Sequence, residues 1–342
     1  MALILVTGVN GFVGSNVVLQ LIKAGYKVRG TVRGSKMDNF RKIVGDKFPA
    51  LEVVQVDDVG SGDLTDAMKG VDAVIHVAAP LPFGGPGPKE NLNIAVEGYL
   101  NVLRQAVKND INKVVMTGSW ASTIDPTLKQ AFEGHISTEK DWGNVTEEEF
   151  LSGNHDPMWT YLAAKILAER AAWKFAANEP ALDLSIIIPP FIFGPFVPGF
   201  PLPEQIALSS NQHIYTLLKG AVPPPLPPLF CDVRDVAQAH VAALSTPKSS
   251  SNVEDKRFLV SGGFLIWKDA VEYLHATRPG LKARLPALDA VFAPFPGTPT
   301  SIDASRAREV LGMDKYYTWK EAVDGAIDGL LEAEKTWAAT SA

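Results

Sequence analysis

The sequence predicts an α/β protein, a doubly wound parallel sheet with helices on both faces and a smaller C-terminal part. Three observations carry that expectation. Short apolar runs alternate with helical stretches through the first half of the chain, as in successive β-α-β units. A glycine-rich loop, Gly8-Val9-Asn10-Gly11-Phe12-Val13-Gly14, joins the first apolar run to the first helix. Tyr161 and Lys165 stand four residues apart in a later stretch dominated by alanine, leucine, glutamate and lysine.

Leu3-Ile4-Leu5-Val6-Thr7 has the form of a buried parallel strand, and Ser15 to Ala24 reads as a helix ended by Gly25. Strand, glycine loop and helix in that order make a Rossmann-type dinucleotide site. Glycines let the backbone approach a pyrophosphate, and the helix N-terminus offers N–H groups and partial positive charge. The spacing is Gly-x-x-Gly-x-x-Gly, with Gly8, Asn10, Gly11, Phe12, Val13 and Gly14 as candidate cofactor contacts. The second strand, Lys27 to Val32, ends in Arg33, with Lys36 close behind and no acid before Asp38. An NAD site places an acid near this point to hold the ribose hydroxyls. Cations there suit a 2′-phosphate, so NADP(H) is the expected cofactor.

Leu51 to Val56 reads as the third strand, followed by Asp57-Asp58-Val59. Asp58, with Val59 beside it, is a candidate acceptor for the adenine amine; equally, either aspartate can shape the loop. Thr65 to Lys69 reads as a short helix. The fourth strand begins at Ala73 and exits through Val77-Ala78-Ala79-Pro80, whose small side chains let a flat cofactor pass. A shaped loop from Leu81 to Pro88 leads to a helix over Asn91 to Lys108. Lys113 to Thr117 is the fifth strand and ends in Gly118-Ser119-Trp120. A serine past the carboxyl end of a parallel strand faces the ligand crevice, and its hydroxyl can donate to a carbonyl.

The chain is expected to be irregular from Ile124 to Pro157, and helical from Tyr161 to about Asn178. One-turn spacing puts Tyr161 and Lys165 on one helix face. An ammonium beside a phenol favours the phenolate, which suits the pair to proton transfer on a carbonyl–alcohol couple. Leu184 to Ile188 is the sixth strand, stopped by Pro189-Pro190 before Phe191-Ile192-Phe193-Gly194-Pro195. The stretch 195–229 is rich in proline and apolar residues, and its Pro223–Pro228 segment, in polyproline II form, is expected to be a stiff connector rather than an SH3-type ligand. Asp235 is expected to cap a following helix. Phe258 to Ser261 reads as a strand, and 267–277, 303–312 and 319–334 as helices.

Composition narrows the function. An apolar fraction of 46% and a charged fraction of 20% fit a globular protein with a substantial core. A net charge of −6 without a basic block argues against nucleic-acid and anionic-membrane partners. Cys231 is the single cysteine, which fits a reducing, cytoplasmic setting. The apolar run Ala2 to Val6 is too short for a signal peptide or a membrane span. Scattered histidines without ligand spacing predict no metal site.

Together, the glycine loop, Ser119, Tyr161, Lys165, Arg33, Val77-Ala78-Ala79-Pro80, Gly194-Pro195 and Asp232-Val233-Arg234-Asp235-Val236-Ala237 with His240 resemble the extended short-chain dehydrogenase/reductases. The likeness is to the branch of dihydroflavonol, cinnamoyl-CoA and fungal aldehyde or ketone reductases. Gly118 departs from that branch, where a serine is common. The resemblance implies an NADPH-dependent reduction of a ketone or aldehyde with a bulky apolar group. Ser119 would polarise the carbonyl, Tyr161 would supply the proton, and Lys165 would support Tyr161 and hold the nicotinamide ribose. Pro189, Phe191 and Ile192 would line the nicotinamide, and Pro80, Ser119, Trp120, Tyr161 and Phe191 the substrate. Phe193, Phe196 and Phe200 are further pocket candidates, and Ser122 a substitute donor for Ser119. The cofactor domain is expected at 1–188 and 231–261, the substrate part at 189–230 and 262–342, and the protein to be a monomer or homodimer. Rival expectations are an NAD-dependent nucleotide-sugar epimerase or dehydratase and a non-catalytic NADP-sensing regulator. Arg33 opposes the first and the retained Tyr161–Lys165 pair the second.

Overall fold

The structure is a computed structural model that describes residues 1–78, 87–153, 155–249 and 252–341. Its strands are β1 (Leu3–Thr7), β2 (Lys27–Val32), β3 (Leu51–Gln55), β4 (Ala73–His76), β5 (Lys113–Thr117), β6 (Ile136–Ser137), β7 (Asp183–Ile188), β8 (Phe191–Phe193), β9 (Leu229–Asp232), β10 (Arg257–Leu259), β11 (Gly263–Phe264) and β12 (Ser301–Ile302). Seven of them form one sheet in the order β10-β7-β5-β4-β1-β2-β3, with every pairing parallel.

Alternation along the strands explains the double winding. Val6, Ile75, Val115 and Ile187 pack with Val17, Val18 and Leu21 of the Phe12–Lys23 helix and with Val236 and Ala239 of the Val233–Leu244 helix. Leu5, Val74, Met116 and Ile186 face the other way, onto Val102 and Leu103 of the Pro88–Lys108 helix and Ala172 and Trp173 of the Pro157–Ala177 helix. Both faces are therefore covered, which is why the strands are apolar runs and not alternating ones. The order reverses between β1 and β4, so the ligand crevice is expected beyond their carboxyl ends.

A second, three-stranded sheet, β11-β9-β8, lies outside the first. Its Phe230 packs in a separate core with Leu217, Leu218, Leu265, Leu274, Ile327 and Leu330. Three parts of this region were hidden in the sequence. β8 and β9 are short, and their pairing is non-local: Phe191 aligns with Phe230 and Phe193 with Asp232. The Asn211–Leu218 helix sits inside the proline-rich 195–229 stretch, where prolines on either side mask an eight-residue helix. The Pro223–Pro228 segment does act as a connector, with Pro223, Pro227 and Pro228 buried.

Two local expectations need correction. The tyrosine-bearing helix begins at Pro157, and Asp156 caps it by accepting from Met158 N and Trp159 N at 2.9 and 3.0 Å. Tyr161 therefore lies in the second turn. Asp235 is not a cap: Asp232 accepts from Arg234 N at 2.8 Å. Asp235 lies buried inside the helix and accepts from Tyr317 N at 2.9 Å.

Candidate active site

The glycine loop is shaped by backbone contact. Gly8 has φ +70, and a Cβ there would lie 3.1 Å from Ala78 Cβ. A Cβ on Gly14 would come within 2.2 Å of Gly8 O, which no side chain permits. The loop is tied to the end of β2, where Gly8 N donates to Thr31 Oγ1 at 3.0 Å. The helix starts at Phe12, three residues before the expected Ser15, so Phe12 and Val13 fall in its first turn. Its cap is Gly11, with no side-chain cap bond, so no side chain takes up the first-turn N–H groups. Asn10 is half-buried beside them. A cradle that a single Cβ would fill, at the N-terminus of a 12-residue helix, fits a bound pyrophosphate.

Arg33 is exposed at the end of β2 and makes no ion pair among the described residues. Lys36 is turned toward Glu204, with Nζ 3.3 Å from its carboxylate. Asp57 caps the Gly34–Val44 helix by accepting from Gly34 N at 2.6 Å, and that bond, with Gln55, holds its carboxyl below the usual range. Asp58 accepts from Gly60 N at 2.9 Å and from Ser61 Oγ, closing its own turn, and Val59 O accepts from Asn101 Nδ2 at 2.8 Å.

The exit of β4 is held from beneath. Thr7 Oγ1 accepts from Val77 N and Ala78 N at 3.2 and 3.1 Å and lies 2.9 Å from His76 Nδ1. With two N–H groups on that oxygen, its own proton points at the imidazole. Burial, followed by the positive charge of Lys165, pushes His76 down to about 3, with a bond to the Gly98 backbone acting the other way. His76 is therefore a neutral acceptor that fixes the hydroxyl under the exit. Ala79 and Pro80 lie outside the described residues.

Across the crevice, Ser119 follows β5. Its Oγ accepts from Ala121 N at 3.2 Å and the residue is half-buried. β5 itself is anchored by Thr117 Oγ1, 2.7 Å from His240 Nε2, while His240 Nδ1 donates to Val236 O at 2.7 Å. Burial pushes His240 down to about 4, so it accepts from the threonine. Lys165 Nζ lies 5.7 Å from the centre of the Tyr161 ring, and both residues are half-buried. Tyr161 also acts electrostatically on Tyr99, whose hydroxyl donates to Thr117 O at 2.6 Å. These interactions bring the helix face and the end of β5 together. Trp120 N donates to Pro189 O at 2.9 Å, which brings the Pro189–Phe191–Ile192 turn to the same end of the sheet.

Four sequence expectations fail on the substrate side. Trp120 is a core residue, 4% exposed, whose Nε1 donates to buried Ser137 Oγ at 3.0 Å. Ser122 is fully buried, and its Oγ donates to Ser119 O at 2.8 Å, so it is no substitute donor. Phe200 is a core residue that packs edge-on to Phe40. Phe196 packs edge-on to Phe12 at 5.5 Å. Phe191 and Phe193 line an apolar cleft, shared with His213, Leu226, Leu265 and Trp267. His213 stands edge-on to Phe191 at 5.9 Å and tilted to Trp267 at 6.1 Å. No local pattern marks His213 or Trp267, because only the β8–β9–β11 pairing and the Asn211–Leu218 helix bring them to Phe191.

Gly118, the departure from the branch pattern, has a packing reason. A Cβ there would come 2.8 Å from Ile186 Cγ2. No group of histidine, cysteine, aspartate and glutamate among the described residues could hold a metal. No helix there is long and apolar enough to cross a membrane.

Comparison with known proteins agrees with this geometry. A family model described as the NAD dependent epimerase/dehydratase family matches residues 4–256. Ketoreductase azaE of Aspergillus niger is 34% identical over 350 residues, covering 96% of this chain and 97% of its own length. Aldehyde reductase 2 of Sporidiobolus salmonicolor is 33% identical over 279 residues, 78% of each chain. The crystal structure of yeast methylglyoxal/isovaleraldehyde reductase Gre2 complexed with NADPH aligns with a TM-score of 0.80 at 26% identity, over 97% of this chain and 99% of that one. Glycine cradle, parallel sheet and relatives along nearly the whole chain agree: it belongs to the NAD dependent epimerase/dehydratase family, the extended short-chain dehydrogenase/reductases.

Proposed function

We propose that this protein is an NADPH-dependent reductase that converts a ketone or aldehyde carrying a bulky apolar group to the alcohol. The observation that carries the reading is the placement of Tyr161 and Lys165 on one helix face, with Ser119 at the carboxyl end of β5. NADPH, when bound, supplies the hydride. Gly8, Gly11, Gly14 and the N–H groups of Phe12 and Val13 hold its pyrophosphate, and Arg33 meets the 2′-phosphate. Asp58 and Val59 lie toward the adenine, while Val77 and Ala78 leave room for the ring system to pass. Pro189, Phe191 and Ile192 line the nicotinamide.

Ser119 Oγ donates a hydrogen bond to the substrate carbonyl. Tyr161 gives its hydroxyl proton to the oxygen as charge develops there, and the ammonium of Lys165 steadies the phenolate that remains. Phe191, with His213 and Trp267, takes the apolar substituent. The substrate part comprises 189–230 and 262–342, and the rest of the chain is the cofactor domain. The single cysteine, Cys231, is buried, which supports a reducing compartment such as the cytoplasm.

NADPH consumption with a panel of carbonyl compounds tests the reading. Apolar ketones or aldehydes should be turned over without retained cofactor. Selective use of sugar nucleotides on tightly held NAD would overturn it and restore the epimerase alternative, which Arg33 opposes.

A further inference from the structure

One guanidinium lies behind both sides of the proposed catalytic face. Arg257 of β10 is fully buried. Its Nε donates to Glu169 Oε1 at 2.7 Å and its Nη2 to Ser122 Oγ at 3.3 Å. Its Nη1 donates to the carbonyls of Glu139 and Asp141, and the group stacks on Trp142 with Cζ 3.7 Å from the ring centre. Glu169 follows Lys165 by four residues and Tyr161 by eight, so all three share one stripe of the Pro157–Ala177 helix. Ser122, through both N and Oγ, donates to Ser119 O at 2.9 and 2.8 Å.

We infer that Arg257 is a positioning residue that fixes Ser119 against Tyr161 and Lys165, acting through Ser122 on one side and Glu169 on the other. The inference rests on the carbonyl-reductase reading for its consequence, though not for its geometry. A buried ion pair is a weak source of stability but a strong geometric constraint, because neither charge can leave its partner without a large cost. The planar fork of arginine suits this task, since its donors point in fixed directions to the helix, the serine turn and the 139–142 loop. Glu169 Oε1 also accepts from Trp173 Nε1 at 3.2 Å, so two donors fix that oxygen. If the serine turn drifts, the carbonyl that Ser119 orients drifts from the proton of Tyr161, and small misplacements of this kind are costly in rate.

Removing Arg257 risks the fold, so Ser122→Ala is the primary variant. It deletes only the hydroxyl that links Arg257 to the Ser119 carbonyl. We expect kcat to fall by roughly ten- to a hundredfold, with NADPH Kd and carbonyl KM within about twofold, since no group touching either ligand is lost. In a Ser119→Ala background the same change should cost almost nothing more, because the brace then has nothing to position. An equal loss in both backgrounds, or a silent Ser122→Ala in wild type, overturns the inference. If the wild type reduces no carbonyl at all, the functional reading falls, and a crystal structure of Ser122→Ala decides the brace. A Ser119 Oγ shifted by more than about 0.5 Å supports it, and an unmoved Ser119 overturns it.

Discussion

The two sides of the crevice are built by different constraints. On the cofactor side, the glycine turn is placed by backbone: a Gly14 Cβ has no room 2.2 Å from Gly8 O. On the substrate side, atoms are placed by side chains from remote parts of the chain. Arg257 reaches Ser122 across 135 residues, and Thr117 meets His240 across 123. Backbone constraints are local in sequence and leave a spacing; side-chain constraints are non-local and leave none. The cofactor side should therefore respond to changes in backbone room, and the substrate side to changes in single functional groups.

The sharpest test of that difference is Tyr161→Phe. One oxygen is lost and the ring remains, so packing against the half-buried helix face should persist. General acid catalysis is worth about 10²–10⁴ in rate, and kcat should fall by that factor while NADPH binding, followed by fluorescence, stays near wild type. A variant that folds and keeps more than about a tenth of wild-type kcat would remove Tyr161 from the proton-transfer role.

Arg33→Ala comes next and concerns one charge on the cofactor side. A guanidinium can meet a phosphate through charge-assisted bonds, a contact worth roughly 1.5–3 kcal/mol net. At about 1.4 kcal/mol per tenfold, the NADPH/NADH ratio of kcat/KM should drop by roughly ten- to a hundredfold, with NADH nearly unaffected. Lys36 shares its charge with Glu204 at 3.3 Å, so Lys36→Ala should lower the ratio less than Arg33→Ala does. A ratio unmoved by Arg33→Ala would relocate the phosphate site.

Gly14→Ala asks whether backbone room alone sets the cofactor side. Its added methyl must displace Gly8 O or the helix, and such overpacking costs typically 1–3 kcal/mol. Thermal stability should drop accordingly, and NADPH Kd should rise with it because the displaced atoms form the cradle. Tolerance of alanine at this position with wild-type NADPH affinity would break the proposed contrast.

What the sequence made legible follows the same division. The strands now numbered β1 to β5 and β7, the glycine turn, and the helix bearing Tyr161 and Lys165 each show in local pattern, and the structure moves their ends by only a few residues. β8, β9 and the parallel β6–β12 pair escape because short strands are defined by partners far along the chain. Trp120 misleads for a related reason. It follows Ser119 at the crevice, but the short 3₁₀ turn beginning there swings the indole inward to Ser137. His213 and Arg257 carry no local signature, and their relevance emerges only from what they touch.

The smallest expected effect is a pH dependence in stability at the junction of the two regions. Asp235 lies buried on the Val233–Leu244 helix. Burial raises its carboxyl to about 7, with the Tyr317 N–H opposing that shift and the nearby Asp232 adding to it. A carboxyl whose pKa is higher folded than unfolded binds its proton more tightly in the native state. Its contribution is therefore complete below the unfolded value of 3.8 and is lost as pH rises toward about 7. His76 and His240 have the opposite sign: each is held below the ordinary 6.5, so their neutral forms favour the fold above that value and lose ground as pH falls toward about 3 and 4. The wild-type profile mixes both trends, so the informative quantity is a difference. Asp235→Asn keeps an oxygen for Tyr317 N but removes the titration. Its Tm relative to wild type should rise steadily from pH 4 to pH 7 and level off above. A Tm difference that is flat across that range would show that Asp235 is ionised in the native protein and that the helix meets the Tyr317 loop without a trapped proton.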